Sequence, residues 1–114
     1  MIKLEMYRGD DREFTLTLTE DGAPMDLTGA TVRWTARVRA GDADTVIAKT
    51  SSAGIAIAND PTTGVAVLTI DAADTSGFAG RRDLVWDVEV TRGGKTRTVL
   101  TGVLRVLVDV SWSA

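Results

Sequence analysis

The chain has 114 residues, a net charge of -3, and neither histidine nor cysteine. That length is expected to form one domain, residues 1–114, able to bury a core without a disulfide or metal staple. The composition excludes a serine–histidine triad and any thiolate or imidazole metal site. The mild acidity argues against nucleic acid, whose binders concentrate basic charge.

Residues 2–6 alternate weakly between apolar and charged and read as a first strand. Those charges also stand where a signal peptide needs an apolar run, and no later stretch has the length of a membrane span. A chain made in the cytoplasm, soluble and without a membrane role is therefore expected. Tyr7 to Asp11 is a polar turn.

From Glu13 to Glu20, Phe14, Leu16 and Leu18 alternate with polar neighbours. An extended chain sends successive side chains to opposite faces, so such a run has one buried and one wet face. Asp21-Gly22 is a hairpin signal, because a type I′ turn needs positive φ at both central residues. It sets Glu20 opposite Ala23, Leu18 opposite Met25 and Leu16 opposite Leu27.

The next alternating row, Ala30, Val32, Trp34, Ala36 and Val38, has the opposite parity. Gly29 is where a bend accommodates the switch. Short strands are expected over 45–50 and 55–58, a turn over 59–64, and a strand over 65–70. Residues 71–76 form the only plausible helix, one or two turns long, with Asp71 as cap. Phe78 is expected to plug one end of the core.

Leu84 to Thr91 reads as a central strand, and Gly93-Gly94 as a second tight hairpin. The final strand buries Leu104, Val106, Val108 and Val110. A tight hairpin brings the opposite parity onto the core face, so a β-bulge is expected, placed at Gly102. The sum is an all-β, antiparallel sandwich of about 8–9 strands with Trp34 and Trp86 at its centre.

Arg33, Arg37 and Arg39 form a basic stripe, with Asp83, Asp87 and Glu89 expected nearby as ion-pair partners across strands. Asp10-Asp11, Asp42-x-Asp44 and Asp71-x-x-Asp74 read as turn and cap acids, not as a calcium loop. Arg8-Gly9-Asp10 spells an adhesion tripeptide, but a turn explains it without a receptor. Val103 and Leu107 fall on the outward face of the last strand, where an apolar surface suggests contact with another subunit. Leu100 is expected near them. Trp112 lies beyond that strand and either folds back or docks on a partner. These three, Val103, Leu107 and Trp112, are the candidate interface residues; no catalytic, cofactor or metal residue is expected.

The pieces occur in a telling order. Arg8-Gly9-Asp10-Asp11 is followed by Phe14-Thr15-Leu16-Thr17-Leu18 and then by Asp21-Gly22-Ala23-Pro24-Met25-Asp26-Leu27-Thr28-Gly29-Ala30-Thr31-Val32. Later come Gly64-Val65, Leu68-Thr69-Ile70, Thr75, Gly80, Asp87-Val88-Glu89-Val90, Gly94 and Gly102. Over nearly the whole chain this resembles the immunoglobulin-like N-terminal domain of tailed-phage baseplate upper proteins and related small prophage tail proteins. The resemblance implies an Ig-like sandwich and a non-enzymatic virion structural role in a tail or baseplate. The implied partners are further copies of the chain and other tail or baseplate proteins. The large baseplate proteins carry further segments after this domain; this sequence ends at Ala114, which implies a stand-alone module or accessory. A carbohydrate-binding sandwich is the alternative, and it requires a row of exposed aromatic rings.

Overall fold

The computed structural model describes residues 2–110, and most of its regular structure is strand. The strands are β1 (Ile2–Tyr7), β2 (Arg12–Thr17), β3 (Thr19–Glu20), β4 (Ala23–Pro24), β5 (Thr31–Arg37), β6 (Ile47–Thr50), β7 (Ile55–Ile57), β8 (Val65–Ile70), β9 (Arg82–Arg92) and β10 (Lys95–Leu107). A single turn of 3-10 helix (Pro61–Thr63) precedes β8, and helix α1 (Ala72–Thr75) follows it.

Two sheets face each other. One has the order β1-β10-β9-β5-β6; the other is β2-β8-β7. The β3–β4 hairpin forms a small ribbon of its own. This is the strand order of an immunoglobulin-like sandwich in which the first strand has joined the larger sheet. The parallel pairing of two named strands follows from that, since β1 runs alongside β10 from Ile2–Gly102 to Tyr7–Leu107.

The alternating rows meet between the sheets. Leu16, Ala66, Leu68 and Ile70 from the smaller sheet, with Leu18 just past β2, cover Val32, Trp34, Ala36, Leu84, Trp86, Val88, Leu104 and Val106 from the larger. Trp34 and Trp86 sit at the centre, with ring centroids 6.0 Å apart. Both indole Nε1 atoms are buried without a hydrogen-bond acceptor in the described residues. That costs ~1–3 kcal/mol each. Removing ~150–250 Å2 of ring surface from water at ~25 cal/mol per Å2 returns about 4–6 kcal/mol, so burial wins.

The local turn chemistry acts as the sequence leads one to expect. Asp21 and Gly22 have φ of 53° and 80°, and Glu20 pairs with Ala23. Met25 N–H donates to the Leu18 carbonyl at 2.9 Å. The hairpin goes no further: Leu16 pairs with Ala66 and Leu27 N–H turns to the Pro61 carbonyl. The chain reverses parity at Gly29, where φ is 69°. In α1 the Asp71 N–H donates to Asp74 Oδ2 at 2.8 Å, a reciprocal cap of the kind that lets so short a helix form.

Three expectations need correction. The bulge in β10 lies between Thr98 and Leu100, not at Gly102. It therefore turns Leu100 inward opposite Val88, and Leu100 packs against the core instead of joining the outer face. Gly102 is required for another reason: a Cβ there would collide with the Ile2 carbonyl oxygen and the Trp86 ring. Finally, the buried rows stop early. Val38 is 46% exposed, Val108 43% and Val110 99%. β5 ends at Arg37, opposite Val85, and β10 ends at Leu107, where β1 and β9 have both run out. A side chain beyond its neighbouring strands has nothing to bury it.

Candidate interaction surface

The odd-numbered residues of β1, β5, β9 and the part of β10 after its bulge form the outer face of the larger sheet. Register places Glu5, Arg105 and Asp83 in one row across three strands. Arg105 Nε donates to Asp83 Oδ1 at 3.2 Å and Nη2 to Oδ2 at 3.5 Å. The Arg105 hydrogen bond, with the charges of Arg105 and Arg81, outweighs the cost of burial and holds the Asp83 carboxyl below its ordinary value.

Apolar residues flank this polar row on both sides. Val103 stands between Lys3 and Val85, and Leu107 stands beside Tyr7. Val103 and Leu107 are half-buried, and Tyr7 is 51% exposed. Two of the three interface candidates thus lie on one strand face, two register steps to either side of Arg105. Trp112 lies outside the described residues. Tyr7 was missed by the sequence reading, which put it in a turn. The odd-numbered alternation of Lys3, Glu5 and Tyr7 was its only signal, and it has meaning only once β1 is known to lie beside β10.

Below Tyr7 the chain is pinned by a buried arginine. Arg8 is 5% exposed, and its backbone N–H donates to the Leu107 carbonyl at 2.8 Å. Its Nε donates to Asp109 Oδ1 at 3.2 Å and its Nη1 to the Phe78 carbonyl at 2.7 Å. Gly9 N–H donates to Oγ1 of the fully buried Thr75 at 2.9 Å. Asp11 Oδ1 accepts from Ala72 N–H at 2.7 Å. The tripeptide Arg8-Gly9-Asp10 is therefore a structural knot with its cation inward, and it cannot present that cation to a receptor. Phe78, half-buried, closes this end of the core and carries the Arg82 guanidinium 5.0 Å above its ring.

The basic stripe does not survive as a unit. Arg37 Nη1 donates to the Asp42 and Ala43 carbonyls at 3.0 and 3.1 Å, and Arg39 lies 3.9 Å from Asp42. Arg33 stands opposite Glu89, and the described residues show no ion pair between them. An open groove of about 520 Å3 runs along β5, β9 and β10, walled by Thr35, Arg37, Asp87, Glu89 and Thr101.

Two further acids hold turns. Asp26 and Asp60 accept from Thr28 and Thr62, hydrogen bonds that lower both carboxyls from their ordinary value. Lowered carboxyls stay ionised, which is the opposite of what a general acid needs. Among the described residues no group of three or more acids is placed to hold a metal ion. No described helix is long and apolar enough to cross a membrane. Trp34 and Trp86, the rings a sugar platform would have used, are core residues.

No family model matches the chain, and no curated protein matches its sequence. Solved structures do show similarity. The N-terminal domain of phage TP901-1 ORF48 aligns with a TM-score of 0.49 at 14% identity, over 96% of this chain and 84% of that one. AggA, the major subunit of aggregative adherence fimbriae type I from Escherichia coli, aligns with a TM-score of 0.34 at 11% identity, over 96% and 91% of the two chains.

Proposed function

We propose that this chain is a non-enzymatic assembly module of a tailed-phage or prophage particle, built into the tail or baseplate through protein–protein contacts. One observation carries the reading: the outer face along β1 and β10 keeps large apolar side chains at its surface. Tyr7 is 51% exposed beside half-buried Leu107, and Val103 pairs with Val85 two steps beyond the Arg105–Asp83 pair. Apolar patches rimmed by charge mark interaction sites, because water is excluded from them only when a partner arrives. The order of turn and strand pieces from Arg8 to Val32 supports the virion part of the reading through the family resemblance.

Two measurements test it. Neighbouring tail-tube, tape-measure or baseplate genes are expected around the coding sequence; a setting without any tail gene overturns the virion assignment. Light scattering over a concentration series, or co-purification with those neighbouring tail proteins, is expected to show association that Leu107→Asp weakens. Association untouched by Leu107→Asp removes this face as the contact.

A further inference from the structure

β1 is the edge strand of the larger sheet, and its charge pattern selects its own partner. We propose that β1 pairs antiparallel with β1 of a second copy, in the register centred on Leu4, to join two larger sheets across a two-fold axis. This deepens the assembly reading by naming one partner and one edge.

The backbone comes first. The Ile2 carbonyl points at Gly102 of β10, and Arg8 N–H bonds the Leu107 carbonyl. Even-numbered residues of β1 thus spend their backbone groups on β10, and alternation leaves those of Lys3 and Glu5 facing outward, while the Tyr7 carbonyl accepts from Asp10 N–H at 3.2 Å. Among the described residues the Glu5 carbonyl is touched from that side only by the exposed Arg12 Nη1 at 3.4 Å, the outer limit of a hydrogen bond, which an incoming N–H replaces. A free row of N–H and C=O groups is a template for a further strand.

The register follows from two rules. In an antiparallel pair, residues opposite one another are either both bonded to each other or both turned away, so odd residues must meet odd residues. A two-fold axis through β1 then allows few choices. Centring on Glu5 sets Glu5 against itself, and centring on Lys3 sets Lys3 against itself; like charges directly opposite destabilise a sheet. Centring on Leu4 sets Lys3 against Glu5 of the second copy, twice by symmetry. Both side chains are exposed, and neither forms an ion pair among the described residues. The same register sets Leu4 against Leu4 and Ile2, 38% exposed, against Met6 on the core side.

The other edges do not offer this. β6 and β7 are four and three residues long. In β2 the unlike pair Arg12 and Glu13 are adjacent, so no two-fold antiparallel register can bring them opposite. An isologous contact needs a self-complementary patch, and β1 supplies one.

Sedimentation equilibrium of the full chain tests this. The wild type is expected to dimerise. Lys3→Glu or Glu5→Lys alone puts like charges opposite at two places and is expected to weaken the dimer at least about tenfold. The double variant restores it. The decisive arm mixes the two single variants: native mass spectrometry is expected to show a 1:1 heterodimer. Because both side chains are exposed, circular dichroism of each variant is expected to match the wild type. Failure of the mixture to pair overturns the proposal, as does a wild-type monomer at the highest soluble concentration. A dimer indifferent to both reversals but lost in Leu107→Asp overturns edge pairing and leaves the assembly reading standing.

Discussion

The two flanks of the sandwich are built on different principles. On the β6–β7 flank the sheets are sewn together. Thr50 N–H bonds the Ala53 carbonyl at 3.0 Å, Thr69 N–H bonds the Gly54 carbonyl at 2.8 Å, and Thr50 bridges to Gly54. Lys49 reaches over the seam to Asp74 at 2.8 Å and Asp71 at 3.5 Å. Gly54 is needed there because a Cβ would press into the Lys49 stem. On the β1–β2 flank the chain crosses between sheets once, through the Arg8 knot, and the outward side of β1 has no strand beside it. A flank closed by hydrogen bonds and a partly buried lysine resists strand addition; a flank pinned only at its foot leaves an edge for a partner.

Four perturbations separate these flanks, in decreasing order of effect. Trp86→Ala removes the shared centre and is expected to cost ~3–5 kcal/mol, loosening both flanks alike in denaturant melts. Arg8→Met leaves Asp109 and the Phe78 carbonyl without their cation and is expected to cost about 3 kcal/mol. Hydrogen exchange should then accelerate in β1 and α1 while β6 and β7 stay protected; uniform acceleration would deny that Arg8 serves one flank. Gly102→Ala forces a methyl between β1 and Trp86 and is expected to cost about 2 kcal/mol, with early loss of protection at the Leu4 and Met6 amides.

Lys49→Met is expected to have the smallest effect, about 1 kcal/mol, felt at β6 and β7. Burial pulls the Lys49 pKa down, but the hydrogen bond and charge of Asp74, with Asp71, outweigh it and leave it above 10.5. A raised pKa means the contribution is complete below the unfolded value near 10.5 and fades as pH climbs through the folded one. The stability gap between wild type and Lys49→Met should therefore close at strongly alkaline pH. Asp83 has the opposite sign. Its contribution is present above 3.8 and is lost as pH falls through its lowered value. A gap that persists at high pH would show that Lys49 acts through its packed stem and not its charge.

Much of this architecture was legible because strands and turns are encoded locally. Val65–Ile70, the short helix after Asp71 and both hairpins follow from period-two apolarity and from residues that accept positive φ. The two tryptophans could be assigned to the core because each stays in phase with its own row. The need for a bulge in β10 was legible too, since the parities of its two halves conflict, but its position at Val99 was not. Gly102 looked like the obvious bend, while its actual constraint is the Trp86 ring and the Ile2 carbonyl packed against it. Of the candidate surface, Val103 and Leu107 could be read from parity; Tyr7 could not.

Sequence alone decided that the chain forms alternating strands, where it turns, and which rows are apolar, because each depends on neighbours within a few residues. Tertiary structure decided that β1 joins the larger sheet in parallel with β10, that Arg8 is drawn inward to Asp109, and that Val108 and Val110 are left outside. Those outcomes rest on contacts between residues about a hundred positions apart, whose geometry exists only after both sheets have closed over the same core.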